Sequence, residues 1–294
     1  MKIKIKLLII FILLSSCKKE VDFDLQGHRG YRGLYPENSI QGFIKSLEIG
    51  VNTLELDVVI SADNKVIVSH EPWMSYHICL DSNGNKISDD KNLYNLYSMD
   101  YKDIRKFDCG IIGNNQFPEQ NKISTFKPTL NNTIKIIDGY ATDNLIKLPN
   151  YNIEIKSKLS TDLLFHPEVK EFSDLVLSII DSHNIIDRVT IQSFDFRVLR
   201  YINQEYPNVK LSALVSDNFN PQKNLNDLGF YPYTFSPNYN FLKYDDVKYL
   251  QNKKIKVIPW TVNSNDDIAK VLRLGIDGII SDYPDRVLKI IEHD

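Results

Sequence analysis

Past its opening run, the chain alternates between two apolar periods. Short segments of alternating or continuous apolar residues read as strands at 23–27, 53–60, 151–155, 189–192, 209–214, 233–236, 256–260 and 278–281. Helical spacing fills most of the gaps. Glu37-Asn38-Ser39 can cap a helix through Ile40, Phe43, Ile44 and Leu47 that Gly50 ends, and further helices are predicted at 165–183, 195–205, 244–252, 266–274 and 286–291. One more extended piece, 66–69, follows a turn at 62–65. Strands alternating with amphipathic helices imply a parallel sheet, and eight such strands imply closure into a (β/α)₈ TIM barrel. The rival, an open doubly wound sheet, usually carries a Gly-rich phosphate loop after its first strand, and Gly27-His28-Arg29-Gly30 is not one.

The rhythm breaks twice. Met1-Lys2-Ile3-Lys4-Ile5-Lys6 is basic, 7–14 is apolar, and Leu14-Ser15-Ser16-Cys17 follows. That order describes a secretory signal, too short to span a bilayer as a folded helix. Leu-Ser-Ser-Cys resembles a lipobox, cleaved before a cysteine that is then acylated. The expectation is a lipoprotein signal over 1–16 and a chain of 17–294 outside the cytoplasm, tethered to a bacterial membrane at Cys17. Acyl chains contribute about 0.8 kcal/mol per buried methylene, so two or more hold firmly.

The second break is 76–127, rich in Asn, Asp, Tyr and Gly with weak periodicity. It is too long for a bare loop in a compact domain. It reads as a small inserted subdomain over the barrel mouth, ending where Lys127-Pro128-Thr129-Leu130 opens the next helix. Cys79 and Cys109 both fall in it. Outside the cytoplasm they can pair, closing a loop worth about 3–4 kcal/mol, or remain two buried thiols. The sequence leaves both open.

Composition changes little in this picture. The 43% hydrophobic and 25% charged residues are ordinary for a globular enzyme. After removal of the signal, the chain matches one barrel with an insertion. A net charge of -3 without a Lys/Arg stripe argues against a nucleic-acid partner. Nothing in the sequence speaks to oligomeric state.

The candidate chemistry sits where strands should end. Seven motifs do so: Gly27-His28-Arg29-Gly30, Pro36-Glu37-Asn38, Glu55-Leu56-Asp57, Ser69-His70-Glu71, Glu154-Ile155-Lys156, Trp260-Thr261-Val262-Asn263 and Asp282-Tyr283-Pro284-Asp285. Residues two apart on a strand share a face, so Glu55 and Asp57 point into the barrel while Leu54, Leu56 and Val58 face the helices. Buried carboxylates repel one another unless a cation neutralises them. Glu55, Asp57 and Glu154 are therefore the candidate ligands of a hard divalent cation, Mg²⁺ or Ca²⁺.

His28 and His70, each at a strand end beside a charged residue, fit a general base and a general acid. His77, His166, His183 and His293 carry no second polar signal. Arg29 and Lys156 supply positive charge for phosphoryl oxygens, although Arg29 could equally pair with Glu37 or Asp57. Gln192 ends a strand and is expected near the ion or the substrate. Trp260 is either the apolar wall of an alcohol pocket or a core residue. Asn38 and Asp282 look like residues that fix loops.

Together these motifs resemble the glycerophosphodiester phosphodiesterase family. His28-Arg29-Gly30 with Pro36-Glu37-Asn38, Glu55 with Asp57, His70, Glu154 with Lys156, Trp260-Thr261-Val262-Asn263, and Gly278 through Asp282-Tyr283-Pro284 match its signatures over almost the whole mature chain. Two departures stand out: Glu71 replaces the Asp that often follows the second histidine, and Ser39 replaces the usual Thr. The resemblance implies a (β/α)₈ barrel with an insertion after the second βα unit and a divalent cation on Glu55, Asp57 and Glu154. It further implies acid/base catalysis by His28 and His70, and hydrolysis of a glycerophosphodiester to sn-glycerol 3-phosphate and an alcohol. Two other readings remain from the residues alone: a phospholipase C or D acting on intact lipids, and a lipoprotein that binds phosphodiesters without cutting them.

Overall fold

The computed structural model describes residues 23–217 and 219–293. The expected signal at 1–16 and the acylation site Cys17 lie outside the described residues. The strands are β1 (Asp24–Gly27), β2 (Thr53–Ile60), β3 (Val66–Val68), β4 (Asn150–Ile155), β5 (Val189–Ser193), β6 (Lys210–Val215), β7 (Thr234–Pro237), β8 (Lys256–Val257) and β9 (Gly278–Ser281). Eight are parallel, in the order β8-β7-β6-β5-β4-β2-β1-β9, and β3 lies antiparallel against the end of β2. Backbone bonds from Asp277 N to Val257 O and from Ile280 N to Pro259 O, both 3.0 Å, draw the two edges together. The predicted barrel is thus present and nearly closed.

Its helices are α1 (Ile40–Glu48), α2 (Tyr101–Ile104), α3 (Leu130–Asp143), α4 (Val169–Ser182), α5 (Phe196–Glu205), α6 (Pro221–Leu228), α7 (Tyr244–Gln251), α8 (Asn265–Leu272) and α9 (Pro284–His293). Several start at polar caps: Ser39 Oγ accepts from Gly42 N at 3.0 Å and Thr129 Oγ1 from Asn132 N at 3.2 Å. Three expectations need correction. The helix predicted from 165 starts at Val169, because Pro167 biases the residue before it away from helical backbone. The strand predicted over 256–260 is assigned only at Lys256–Val257, because Pro259 has no N–H for the ladder. Helix α6 was not expected, since only Pro221, Leu225 and Leu228 of its eight residues are buried.

Alternation along the strands separates two environments. Leu54, Leu56, Val58, Tyr151, Ile153, Ile155 and Ile191 point outward and pack with Phe43, Leu130, Ile134, Phe172 and Val176 of the helices. The inward residues are polar. Asn152 Nδ2 donates to Gln26 Oε1 at 2.7 Å and to Gln192 Oε1 at 3.0 Å, and Ser212 and Ser236 hydroxyls meet at 2.9 Å. Buried polar side chains are usually so paired, and this layer forms the floor beneath the strand ends.

Between β3 and α3 the chain winds around a second apolar cluster. Met74, Ile78, Ile87, Leu96 and Ile104 pack there against Val59 and Ile67. Cys79 and Cys109 form a disulfide, which decides the choice the sequence left open. Gln120 Nε2 fastens this region to the loop after β1, donating to the carbonyls of Arg32 and Tyr35 at 2.8 Å each.

Candidate active site

Register brings the carboxylates together. Asp57 of β2 pairs with Glu154 of β4, and Glu55 lies two residues earlier on the same face of β2. One oxygen from each of Glu55, Asp57 and Glu154 lies within 4.8 Å of the others, and all three residues are buried. Glu55 Oε2 accepts from Arg29 N at 2.9 Å and its Oε1 from Gln192 Nε2 at 2.7 Å. Asp57 Oδ2 accepts from Asn38 Nδ2 at 2.9 Å, and Glu154 Oε1 from Lys156 Nζ at 2.8 Å. Asp57 Oδ1 is buried and accepts no hydrogen bond, with Lys156 Nζ 3.7 Å away.

Burial, followed by the charges of Asp57 and Glu154, pushes the Glu55 carboxyl well above the usual carboxylate range. Burial also raises Glu154, with Lys156 opposing. Asp57 goes the other way, because Arg29, His70 and Lys156 together outweigh its burial. Three converging carboxylates, one with a bare oxygen, could hold a hard divalent cation.

The histidines flank this cluster. His28 follows β1 directly, and its Nδ1 lies 2.6 Å from Asp282 Oδ1, leaving Nε2 turned toward Glu55 Oε2 at 4.0 Å. Asp282 is itself held by Asn263 Nδ2 at 2.8 Å. Burial lowers the His28 imidazole despite the neighbouring Asp282. Gly27 permits this turn, since a Cβ there would meet Gly30 O at 2.3 Å. His70, which follows β3, has Nδ1 2.8 Å from Glu71 Oε1.

Arg29 pairs with both carboxylates considered for it: Nη1 is 3.1 Å from Glu37 Oε1 and Nε 3.3 Å from Asp57 Oδ2. Trp260 is partly buried, donates Nε1 to Ser236 O at 2.8 Å and meets Phe194 edge to face at 5.4 Å. Phe194, 40% exposed, in turn lies 6.0 Å from Lys156 Nζ.

A cavity of about 360 Å³ beside the cluster is lined by residues that sequence reasoning passed over, among them Arg32, His77, Asn114 and Lys127. Lys127 is buried and donates to Ser69 Oγ at 2.8 Å, and burial lowers its ammonium despite Glu37 and Glu71 nearby. Glu37 bridges Arg29 and Arg32, whose charges hold it at about 2 against the pull of burial. Lys127 gave one faint signal, a lysine directly before the helix-opening Pro128. His166 is a buried structural residue whose Nε2 accepts from Lys158 N at 3.1 Å.

Comparison with known proteins agrees with this geometry. The sequence model of the glycerophosphoryl diester phosphodiesterase family matches residues 28–286. A glycerophosphodiester phosphodiesterase from Caldanaerobacter subterraneus is 27% identical over 264 residues, covering 90% of this chain and 96% of its own. A structure from Silicibacter pomeroyi, named for the same family, superposes with a TM-score of 0.82 at 26% identity over 92% of this chain and 93% of its own. An Oleispira antarctica phosphodiesterase, solved with sn-glycerol-3-phosphate, gives 0.72 at 20% identity over 92% and 96%.

Proposed function

This chain belongs to the glycerophosphoryl diester phosphodiesterase family, and from that premise we propose a cation-dependent hydrolysis by two histidines. The enzyme cleaves glycerophosphodiesters, giving sn-glycerol 3-phosphate and an alcohol. The single observation that carries the finer reading is the convergence of Glu55, Asp57 and Glu154 within 4.8 Å, with His28 and His70 beside them.

Glu55, Asp57 and Glu154 would hold the cation, Mg²⁺ or Ca²⁺, which when bound supplies charge neutralisation at a phosphoryl oxygen. The bare Asp57 Oδ1 supports that assignment. Arg29 and Lys156 add positive charge where negative charge builds on the phosphoryl group. His28 and His70 each have Nδ1 engaged by a carboxylate, which leaves Nε2 of each ring for proton transfer. One imidazole takes a proton from the attacking water as its oxygen bonds to phosphorus. The bond from phosphorus to the alcohol oxygen breaks, and the other ring returns a proton to that oxygen. Phe194 and Trp260 line the mouth beside Lys156 and support an apolar wall there. Gln192 orients Glu55 and has no part in the proton transfers.

We propose that the enzyme works outside the cytoplasm on an acyl tether, a reading supported by Leu14-Ser15-Ser16-Cys17 and by the Cys79–Cys109 disulfide, which suits an oxidising compartment. The test is release of sn-glycerol 3-phosphate from glycerophosphocholine and glycerophosphoethanolamine without detergent. Chelation by EDTA abolishes release and Mg²⁺ or Ca²⁺ restores it, while His28→Ala slows it by about 10²–10⁴. Full turnover by His28→Ala, or indifference to EDTA, would sink this mechanism.

A further inference from the structure

The barrel end opposite the candidate site carries a surface that the chemistry does not use. All loops leading from a helix into a parallel strand turn there, and Phe23, the first described residue, enters β1 at that end. A recess of about 230 Å³ is walled by Phe23 together with Asn52, Leu148 and Tyr233. The loops before β2, β4 and β7 therefore meet around the point where the chain enters the fold.

These loops present apolar side chains to solvent. Leu145 is 95% exposed, Leu148 40%, Tyr231 64% and Tyr233 40%. Leu145 does so in left-handed backbone, φ 57°, which is costly for leucine and easy for glycine or asparagine. Water alone gives no reason to keep a leucine there. Lysines stand among them: Lys147 and Lys254 are exposed, and Lys253 Nζ lies 5.2 Å above the Tyr231 ring. Asp143, Asp181, Asp187, Glu205 and Asp227 are exposed at the same end and offset this charge, so the apolar side chains carry most of the attraction to an interface. Exposed leucine, tyrosine and lysine at one end of the barrel are the composition of a surface lying in a lipid interface, with rings at headgroup level and ammonium groups on phosphates.

From this we infer that this end of the barrel is seated on an anionic phospholipid bilayer, the one that holds Cys17, so that the active site faces away from its own membrane. The inference rests on the tether read at Cys17 and on the proposed hydrolysis. Six residue steps separate Cys17 from Phe23 and reach at most about 20 Å. The start of β1 must stay within that distance of the lipid, so the barrel cannot turn over. Asp57 and Glu154 lie four residues beyond the starts of β2 and β4, about 13 Å further along the strands. Gln26 and Asn152, hydrogen-bonded at 2.7 Å, stand below them in the barrel interior, and Gln192 is level with Glu154. Substrate therefore arrives from the aqueous side. That favours water-soluble, deacylated diesters over intact lipids of the anchoring leaflet.

Hydrogen exchange on the full chain, processed by its host and reconstituted in vesicles of phosphatidylglycerol and phosphatidylcholine, tests the seating against the Cys17→Ser chain in solution. Amides of 144–148, 231–233 and 253–254 slow on vesicles, while those of 70–76 and 114–117 around the mouth do not. Leu145→Asn and Tyr231→Ser lose that slowing and keep full turnover of glycerophosphocholine, and the vesicle phosphatidylcholine stays uncut. The inference is overturned by slowing at the mouth loops, by a processed chain that does not bind vesicles, by consumption of the vesicle lipid, or by equal slowing of the Cys17→Ser chain as its concentration rises, which would mark a second copy on this face. Failure to cut glycerophosphocholine with the expected exchange pattern would instead refute the hydrolysis and leave the seating standing.

Discussion

Asp282 stands 254 positions from His28 in sequence, yet a 2.6 Å contact lets it fix the ring that the site needs oriented. Its own carboxylate is kept ionised by His28 and Arg32 against the pull of burial. Asp282→Asn removes that charge while keeping the side chain's shape. Its kcat for glycerophosphocholine should fall by about 10²-fold, the scale of losing an oriented proton carrier, with little change in KM. An unchanged kcat would remove His28 from the proposed mechanism.

Glu37 makes a second prediction at this scale. Its value is lowered from the ordinary 4.5 to about 2, so folded protein binds fewer protons than unfolded chain between those limits. The stabilisation is fully present above about 4.5 and is lost as pH falls through about 2. Glu37→Gln should therefore cost stability at neutral pH, on the order of 3 kcal/mol, and the gap to the parent should close on acidification between pH 4.5 and 2. Urea melts across that range measure it, and a gap independent of pH would contradict the assignment.

Among the elements, those with a strong apolar period were readable and those held by other means were not. Helix α6 buries three residues and is defined by its ends: Asn220 caps it, Pro221 starts it, and Gly229 closes it at φ 85°. Those punctuation marks were in the sequence, but a search led by apolar periodicity passes over them. The segment between β3 and α3 has a weak period because its cluster is assembled from scattered turns and the Cys79–Cys109 bond. That bond closes a separation of 30 residues. Replacing both cysteines by serine should cost about 3–4 kcal/mol and lower Tm by roughly 10 °C, read by calorimetry. Because this segment also lines the cavity through His77 and Asn114, KM should rise in the same variant. A thermally indifferent double variant would show that the cluster stands without its cross-link.

At the scale of the whole molecule, a polar barrel interior ending in three buried carboxylates is a fold loaded for a counterion. A ligand that binds only the native state stabilises it by about 2.7 kcal/mol at a hundred times its Kd. For a chain of this size Mg²⁺ or Ca²⁺ should raise Tm by roughly 5–10 °C over the EDTA-treated protein, and Asp57→Asn should abolish the shift. This readout does not depend on turnover. Equal melting with and without either cation would argue that Lys156 and Arg29 alone balance the cluster.

The period-two and helical patterns determined the barrel, because burying one face of every element leaves few arrangements open to eight strands and their helices. The strand alternation that sends Leu54 and Leu56 outward also sends Glu55 and Asp57 inward, so the carboxylates could be found without coordinates. The tertiary structure alone decided which distant groups meet. Register across β2 and β4 sets Asp57 beside Glu154, the return of β9 brings Asp282 to His28, and the segment after β3 carries Lys127 and His77 to the cavity. Such contacts depend on chain closure over long separations, and no local residue pattern encodes a distance between positions that far apart.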